Sequence, residues 1–551
     1  MNEETIKLNI TGMTCDHCAT GIEKLLSKND GVAEAKVSYK NGSCECSFDP
    51  SKTSKEEIIN TINGTKNYRV KGEIPENGNS GNNHFDLIII GGGSAAFSAA
   101  IKAESLGLTT LMINGGLDFG GTCVNVGCVP SKNLIRAGET AYHATHSNFE
   151  GIKPKGVDID FAQIIKNKKK LVATLQEKKY MDVVSDFENL KMISGWAEFK
   201  DNKTIVVDGK TEYTALKFII ATGATTNIPN IEGLNEIGYL TNVSLFDLEE
   251  KTESITIMGA GYIGLEIAMA YNRLGVKVRI IEFTDRVLRT QTPDISEALE
   301  IQMRKEGIEI LPNFRAVKFE KNENETIIHC KCADGSFTKI VEKGKVVVAS
   351  GTKPNTQKLG LQNIGLQLTQ SGHIAVNEKM ETNLQNIYAV GDATNTPAFV
   401  YTAAFEGKIA VENAFSGAEN KANYSSLPWV VFTDPQVAGA GMDEAQAEQQ
   451  NIPFEVSKIE LKDVPRAIAA NDTRGFIKLI RNVETDKLIG ARIVAPEGGE
   501  LIQQLSMAIK YGITVKDLAE SFYPYLTLGE GIKLAAITFG KDVSKLSCCA
   551  S

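Results

Sequence analysis

The sequence lacks a strongly basic domain and a long apolar run. Its net charge is −9, and without a region rich in lysine and arginine there is no electrostatic basis for nucleic-acid binding. The longest uncharged run, residues 87–101, is interrupted by glycines and is too short to span a bilayer. Residues 1–10 are charged and lack the apolar core of a signal peptide. We therefore expect a cytoplasmic protein that acts on a small molecule or an ion, without nucleic-acid binding or membrane insertion.

Histidine is scarce and is confined to the first two thirds of the chain. There are six in 551 residues, and His373 is the last. The rest of the chain therefore has no imidazole, the side chain that most often serves general acid–base catalysis. Cysteine behaves differently, because its ten copies form five close pairs: Cys15/Cys18, Cys44/Cys46, Cys123/Cys128, Cys330/Cys332 and Cys548/Cys549. In a long chain without an export signal, such pairs more often serve metal or redox chemistry than a disulfide framework.

Residues 1–71 predict a small two-layer module with the order strand, helix, strand, strand, helix, strand. The stretch GMTCDHCA lies where the first strand turns into the first helix, so Cys15 and Cys18 project near a helix N-terminus that favours thiolates. Two thiolates can hold a soft metal ion in two-coordinate geometry. CxxC alone also occurs in zinc and redox sites. In this context the stretch resembles heavy-metal-associated domains, which implies that both cysteines bind metal.

The segment that follows this module, residues 72–84, is rich in glycine and asparagine and predicts a flexible linker. The pairs Cys44/Cys46 and Cys330/Cys332 each place two thiols on one face of a predicted strand. We favour a structural role for both pairs, and a second thiol site stays open.

Two stretches have the pattern of a strand, a glycine-rich turn and a helix. This is the dinucleotide-binding fingerprint, in which a pyrophosphate rests on the helix N-terminus. The first has Gly91, Gly93 and Ala96, and the second has Gly259, Gly261 and Gly264. The next strands end at Asn114 and Glu282, at the same spacing from the first glycine of each fingerprint. Two such units in one chain predict an electron relay between two nucleotide cofactors.

Between the fingerprints, the stretch GGTCVNVGCVPSK brings two cysteines close together. Cys123 and Cys128 are near enough to form a disulfide and to be reduced to a dithiol. The stretch resembles the redox-active disulfide of the flavin disulfide reductases. This resemblance implies that Cys128 lies next to the flavin of FAD and that Cys123 exchanges with substrate. It also implies a Lys132/Glu266 pair beside the flavin, where a lysine can stabilise negative charge on the reduced ring.

Further motifs of the same family, ATGATTNIP and IYAVGDAT, follow in order. By this resemblance the residues that bind FAD are Gly91, Gly93, Ala96, Asn114, Gly121, Thr122, Lys132, Gly223, Gly391 and Asp392. Asn114 departs from the family's usual acid, but its amide can hydrogen-bond a ribose hydroxyl. At the second fingerprint, an acid such as Glu282 favours NADH by the general rule. The resemblance instead favours NADPH, with Arg286 or Arg289 holding the phosphate, so we expect NADPH and keep NADH open.

These motifs predict an α/β fold class with several domains. The predicted order is a ferredoxin-like βαββαβ module (1–71), a linker (72–84), a Rossmann-like FAD-binding domain (85–238, continued at 366–425), a Rossmann-like NAD(P)H-binding domain (239–365) and an α+β dimerisation domain (426–551).

Residues 426–551 resemble the dimerisation domain of this family, whose homodimers share active sites between subunits. In members that reduce disulfides this region carries a His-Pro-Thr motif, but here the stretch reads SFYPYLTLGEGIKL. Tyr525 in that stretch, Tyr180 in KKYMDV and the terminal Cys548 and Cys549 resemble the mercuric reductases. The resemblance implies that both tyrosines line a mercury site. It also implies that the tail of one subunit passes Hg(II) to the redox pair of the other.

We therefore expect reduction of Hg(II) to volatile Hg(0) by NADPH through FAD, in mercury detoxification. Hg(II) is soft and is bound by small thiols in a cell, so it must arrive by thiol exchange, with a mercury transport protein as a further source. Two alternatives stay open. A dihydrolipoamide or other disulfide reductase is favoured by Glu282 and opposed by the missing His-Pro-Thr motif. A metal-binding or metal-delivery protein with a vestigial flavin domain would explain the front module alone.

Overall fold

A computed structural model describes residues 4–11, 13, 16–38, 43–65, 68–74 and 83–541. The chain divides into two compact units, Met1–Asn83 and His84–Ser551. Cys15, Cys548 and Cys549, which the sequence singled out, lie outside the described residues. Within the described ranges, no helix is long and apolar enough to cross a bilayer.

The first unit is a four-stranded antiparallel sheet with two helices. Its elements are β1 (Glu4–Thr11), α1 (Asp16–Leu26), β2 (Val32–Ser38), β3 (Ser43–Phe48), α2 (Lys55–Asn63) and β4 (Arg69–Ile74). The strand order β2-β3-β1-β4 with this βαββαβ succession is the predicted ferredoxin-like module. The last strand runs to Ile74, inside the segment predicted as a linker.

The core of this unit lies between one face of the sheet and the two helices. Ile6, Leu8 and Ile10 are buried because alternate residues of a strand face the same side. The helices add apolar pairs spaced one turn apart, Ile22 and Leu26 on α1 and Ile58 and Ile62 on α2. The second helix begins with a capping box between Ser54 and Glu57, which satisfies two backbone donors at its start.

The second unit begins with a mostly parallel sheet and its helices. The elements are β5 (His84–Ile90), α3 (Ser94–Ser105), β6 (Thr110–Asn114), α4 (Gly121–Asn125), α5 (Cys128–Thr145), α6 (Phe161–Gln176), a π-helix (Glu177–Met181), α7 (Asp182–Val184), β7 (Leu190–Ser194), β8 (Ala197–Asp201), β9 (Thr204–Val207), β10 (Thr211–Ile220) and β11 (Ala224–Thr226). The order is β7-β6-β5-β10-β9-β8, in which β7, β6, β5 and β10 are parallel. Residues 87–90 are buried because a central parallel strand is covered on both faces.

A second parallel sheet follows. Its region contains α8 (Asn242–Leu245), β12 (Ser254–Met258), α9 (Tyr262–Arg273), β13 (Lys277–Ile281), α10 (Pro293–Lys305), β14 (Glu309–Leu311), β15 (Phe314–Lys321), β16 (Thr326–Cys332), β17 (Phe337–Glu342), β18 (Lys345–Val348) and β19 (Thr352–Pro354). The parallel order is β14-β13-β12-β18, beside an antiparallel sheet β15-β16-β17. Each parallel sheet therefore has a central strand, β5 or β12, that leads through a glycine turn into a helix.

The chain then returns to the first sheet. Strand β20 (Ile387–Ala389) pairs in parallel with β10, and α11 (Val400–Phe415) follows it. Helices α5 and α9 share one hydrophobic cluster, to which they contribute Leu134 and Leu265. This packing positions the site, because α5 begins at Cys128 and α9 begins at the second glycine turn.

The C-terminal part of the second unit is an antiparallel sheet covered by helices. Its elements are β21 (Trp429–Val431), β22 (Gln436–Gly441), α12 (Glu444–Gln449), β23 (Phe454–Glu460), α13 (Pro465–Ala469), β24 (Phe476–Asn482), β25 (Leu488–Ala495), α14 (Gly498–Tyr511), α15 (Val515–Glu520) and α16 (Glu530–Ile537). The strand order is β21-β22-β25-β24-β23. The predicted α/β fold class, with two Rossmann-like sheets and an α+β C-terminal part, is confirmed.

Candidate redox and nucleotide sites

Cys123 and Cys128 face each other across the break between two helices. Cys123 lies on the short helix α4, and Cys128 is the first residue of the 18-residue helix α5. Both carry free thiols, both are partly buried, and their side chains are hydrogen-bonded to each other. The N-terminus of a long helix favours a negative charge, so Cys128 occupies the position better suited to a thiolate.

The two thiols of this pair have different acidities. The hydrogen bond from Cys123 lowers the pKa of the Cys128 thiol to about 7, and Lys132 and the backbone amide of Cys128 act in the same direction. Burial and the carboxylate of Glu266 oppose them. The same hydrogen bond, with burial, raises the pKa of Cys123. Cys128 is therefore the more acidic member of the pair, and Cys123 is the thiol that donates to it.

An ion pair joins α5 to α9 next to the cysteines. Lys132 Nζ lies 2.8 Å from Glu266 Oε2, and each residue stands one turn into its helix. The backbone N–H of Phe432 donates to Glu266 Oε1 at 3.0 Å, and the Lys132 ammonium lies 4.4 Å from the centroid of the Phe432 ring. The structure thus brings together the lysine and the acid that the resemblance paired.

Tyr180 stands on the π-helix near the cysteine turn. Its hydroxyl is 2.9 Å from Ser94 Oγ, and its ring meets Phe97 edge-on at 5.0 Å between centroids. Burial raises the pKa of Tyr180, and the Cys123 and Cys128 thiols contribute to that rise. The structure therefore places Tyr180 beside the redox pair. π-Helical turns are rare and occur frequently at functional sites.

The first glycine turn joins β5 to α3. At Gly91, φ is +131° and an added Cβ would lie 2.1 Å from the Ala221 carbonyl oxygen, so only glycine is accommodated there. Gly93 is the N-cap of α3 and supplies no side-chain cap, which leaves the first amides of the helix as anion donors. Ala96 is buried beneath the turn. Asn114 ends β6, and its amide donates to the Leu117 carbonyl at 2.7 Å.

Other predicted FAD residues stand around this turn. Gly121 begins α4 and approaches Gly93, with Thr122 next to it. Gly223 lies between β10 and β11, and its carbonyl accepts from the backbone N–H of Asn355 at 2.9 Å. Gly391 and Asp392 form a short 3₁₀ turn after β20, where burial raises the pKa of Asp392.

A buried acid that the sequence analysis missed supports this last turn. Glu406 on α11 is fully buried, and its two oxygens accept from the Gly391 N–H at 2.7 Å and the Tyr424 hydroxyl at 2.6 Å. Burial raises the pKa of Glu406. The only signal in the sequence is an acid within the apolar stretch TAAFEGKIA, since unpaired acids are rarely buried.

The second glycine turn joins β12 to α9. An added Cβ at Gly264 would lie 2.1 Å from the Gly259 carbonyl oxygen, so helix and turn pack too closely for any other residue. Around Gly261, by contrast, no atom of the described residues would come within 4 Å of a Cβ. Gly261 is also an N-cap without a side-chain bond, so the first amides of α9 have no side-chain cap. Glu282 follows β13 and is buried.

Aromatic side chains that no motif indicated lie near both sites. Tyr262, the first residue of α9, stacks on Trp429 with 5.7 Å between ring centroids and an angle of 27°. Burial raises the pKa of Tyr401, with smaller contributions from Tyr262 and Cys128. The Tyr401 hydroxyl donates to the Pro428 carbonyl. These side chains come from three separate segments, which explains why local sequence patterns did not reveal them.

The remaining predicted residues lie elsewhere. Cys18 is partly exposed on α1, and Cys15 lies outside the described residues. Tyr525 is exposed in the loop between α15 and α16, and Cys548 and Cys549 follow the described part of the chain. In the first unit, burial raises the pKa of Cys44 to about 12 and that of Cys46 to about 11. Such inert, buried thiols agree with a structural role.

The residues present fit two nucleotide cofactors. Both glycine turns end in a helix whose first amides have no side-chain cap, which is the arrangement that binds a pyrophosphate. The first turn lies beside the cysteine pair through the contact of Gly93 with Gly121. The chain therefore has the donors for FAD at the first turn and for a nicotinamide nucleotide at the second.

Comparison with known proteins gives matches along the whole chain. Residues 85–407 match the pyridine nucleotide-disulphide oxidoreductase family, residues 427–536 match its dimerisation domain, and residues 7–69 match the heavy-metal-associated domain. A mercuric reductase of Staphylococcus aureus is 38% identical over 554 residues, covering 100% of both chains. A mercuric reductase of Lysinibacillus sphaericus is 39% identical over 552 residues, covering 99% of each.

A solved structure is also similar. The HOCl-induced flavoprotein disulfide reductase RclA of Escherichia coli is 27% identical, with a TM-score of 0.73, and the match covers 83% of this chain and 100% of that one.

Proposed function

Because the chain belongs to the mercuric reductases of the pyridine nucleotide-disulphide oxidoreductase family, we propose that it reduces Hg(II) to Hg(0) with electrons from NAD(P)H. The observation that carries this proposal is the thiolate–thiol pair of Cys128 and Cys123 at the start of α5, in a chain whose last histidine is His373. A dithiol without a neighbouring imidazole suits a thiophilic metal ion better than a disulfide substrate, whose reduction needs a proton donor.

The cofactors would be held at the two glycine turns. When bound, FAD and NAD(P)H would supply two electron pairs, one that keeps the cysteine pair reduced and a second that reduces the bound metal ion. FAD would be held by residues 91–96, Asn114, Gly121 with Thr122, Gly223, and Gly391 with Asp392. We place the FAD-binding domain at 85–238 and 366–425, supported by the pairing of β20 with β10, and the NAD(P)H-binding domain at 239–365.

The cysteine pair would take Hg(II) by ligand exchange. Cys128 attacks first because it is the thiol that ionises more readily, and it displaces one thiolate ligand of the incoming Hg(II). Cys123 then displaces the second ligand, and its proton goes to the departing thiolate. When Hg(II) accepts two electrons, both cysteine–mercury bonds break and Hg(0) leaves. The Lys132 ammonium, paired with Glu266, stabilises the negative charge that collects beside the thiolate.

Residues of two subunits would complete the site. The dimerisation domain indicates a homodimer. In this dimer, Tyr180 covers one side of the ion, and Tyr525 of the partner subunit covers the other side. Support for this arrangement is that Tyr525 is exposed on the described chain, whereas Tyr180 is beside the cysteines. Cys548 and Cys549 of the partner subunit would receive Hg(II) and pass it inward.

The first unit would supply Hg(II) to this site. Cys15 and Cys18, a CxxC pair of which Cys18 lies on α1, would bind the ion as two thiolates, and this would allow delivery by exchange with the tail cysteines. Small thiols and a mercury transport protein would be the sources of the ion. We propose the cytoplasm as the location, since unoxidised cysteine pairs need a reducing compartment.

The test is NAD(P)H oxidation by the purified protein in excess small thiol, with and without Hg(II), with volatile mercury trapped. Cys123→Ser and Cys128→Ser should abolish Hg(II)-dependent oxidation. Cys332→Ser, at a partly buried cysteine on β16, is the matched control and should retain it. The double variant Cys548→Ala, Cys549→Ala should slow turnover at low Hg(II).

Two results would contradict the proposal. If the nucleotide were oxidised in the presence of oxidised glutathione or lipoamide, but not in the presence of Hg(II), the protein would be a disulfide reductase. If the protein bound FAD tightly but showed no metal-dependent oxidation of NAD(P)H, the function that remains would be metal binding and delivery.

A further inference from the structure

The carboxylate of Glu282 is held against the second glycine turn. Its Oε2 accepts the Ala260 N–H at 2.7 Å, and its Oε1 accepts the N–H and hydroxyl of Thr284 at 2.8 and 2.9 Å. The side chain is 6% exposed. Three donors from two loops, the glycine turn and the segment after β13, therefore fix the position of this carboxylate at the carboxyl end of β13.

The hydrogen bonds of this carboxylate leave it able to accept a hydrogen bond from a ligand hydroxyl. A carboxylate offers about four acceptor positions. Two N–H groups take two of them, and the Thr284 hydroxyl, which also lies 3.1 Å from the Arg286 carbonyl oxygen, takes up to one more. The remaining position can accept a ribose hydroxyl, which is how an acid at the end of the second strand recognises NADH. A 2′-phosphate has no proton to donate at neutral pH. It would also place a negative charge beside a carboxylate whose hydrogen bonds prevent it from moving aside.

The two arginines in the following loop are already engaged. Arg286 Nη1 lies 3.1 Å from Asp285, while its Nη2 donates to the carbonyls of Arg289 and Gln291. Its Nε is buried and has no partner among the described residues, so it is not presented to solvent. Arg289 Nε lies 3.0 Å from Asp285. Asp285 thus pairs with both residues expected to hold a phosphate. Arg286 is held by further hydrogen bonds, whereas the pair with Arg289 is more than half exposed on both sides and is weak.

The residue after Glu282 is aromatic. Phe283 is 59% exposed, and Arg315 of β15 stacks its guanidinium on the ring, 5.1 Å from the centroid. Phe283 therefore gives this position apolar surface. For Arg315 to bind a phosphate, its guanidinium would have to leave the Phe283 ring.

From these contacts we propose that Glu282 makes the chain select NADH over NADPH. The inference deepens the proposed function by naming its electron donor, and it rests on that function for the donor's role. Like charges placed together at a binding interface cost several kcal/mol, so NADH should be preferred on the order of 100-fold or more.

Calorimetric titration of the purified flavoprotein with NAD⁺ and NADP⁺ tests the selection without mercury or turnover. NAD⁺ should bind about 100-fold more tightly. Glu282→Gln removes the charge and keeps the shape, and it should reduce the NAD⁺/NADP⁺ affinity ratio by at least about tenfold. Glu309→Gln, at a half-exposed acid paired with Arg279 in the same region, is the matched charge control and should leave the ratio unchanged.

Several outcomes would overturn the inference. Binding of NADP⁺ to the unmodified protein as tightly as NAD⁺, or more tightly, would do so. If that binding were then lost in Arg315→Ala, Arg315 would be the residue that binds the 2′-phosphate. An unchanged ratio in Glu282→Gln would remove Glu282 as the determinant. If that variant does not fold, Asp285→Asn, which releases two arginines, should strengthen NADP⁺ more than NAD⁺. Failure of Hg(II) reduction with both nucleotides would contradict the proposed function and leave this selectivity standing.

Discussion

Replacing Lys132 by methionine should weaken Cys128 as a nucleophile. Lys132 helps to lower the pKa of Cys128 to about 7, and Glu266 opposes it. Lys132→Met removes the favourable charge and leaves the opposing one, and loss of an adjacent opposite charge raises a thiol's pKa by about 1–3 units. Each unit corresponds to about 1.4 kcal/mol, so the thiolate fraction at pH 7 should fall from about one half to about one tenth or less.

The pH dependence of alkylation measures this change. The reduced flavoprotein is treated with iodoacetamide from about pH 5 to pH 10, a range that spans the expected midpoints, and the Cys128 peptide is quantified by mass spectrometry. The thiolate of the unmodified protein is lost as the pH falls through about 7, and in Lys132→Met this loss should occur at higher pH. Glu266→Gln should move the midpoint downward, and the double variant should lie between them. An unmoved midpoint in Lys132→Met would refute the electrostatic role of the lysine.

Three further predictions concern other parts of the molecule. Glu406→Leu leaves the buried Gly391 N–H without its acceptor, at about 1–3 kcal/mol, and removes one partner of the partly buried Tyr424 hydroxyl. Urea unfolding should therefore show a less stable protein with less bound FAD; full stability would contradict the role of Glu406. Gly264→Ala introduces a contact at 2.1 Å and should lower the melting temperature. Gly261→Ala, which meets no described atom within 4 Å, should lower only nucleotide affinity; equal losses of stability would be inconsistent with this packing. Cys46→Ala opens a core cavity and should cost about 1–2 kcal/mol in unfolding free energy while metal binding is retained. Cys18→Ala should weaken Hg(II) binding to the full chain while the unfolding free energy is retained.

Much of the fold could be predicted because its signals are local. The apolar strands β5 and β12, each followed by a glycine turn and a helix, occupy short continuous segments, and both Rossmann-like sheets formed around them. The βαββαβ order of the first unit was likewise predicted from alternating and helical periodicity. The end of β4 was harder to predict from the sequence, because a strand can continue into glycine-rich sequence when a neighbouring strand offers hydrogen bonds.

The candidate site was predictable where a resemblance or a short motif covered it. The fingerprints and the cysteine motif led to the pyridine nucleotide-disulphide oxidoreductase family, which the comparisons confirm. Sequence patterns did not reveal Glu406 or the stacking of Tyr262 on Trp429, because these contacts join segments far apart in the chain. They also left the roles of the paired cysteines in β3 open until their burial was known.

By itself, the sequence determined the chemistry that depends on neighbours along the chain. Cys123 and Cys128 are held close by the few residues between them, and each glycine turn is set by its own backbone. Only the tertiary structure decided how those groups are tuned. The thiolate at Cys128 depends on charges from α5 and α9, and the fixed carboxylate of Glu282 depends on donors from two loops. The physical reason is that electrostatic and hydrogen-bond energies depend on distances of a few ångströms, and side-chain packing between remote segments sets those distances.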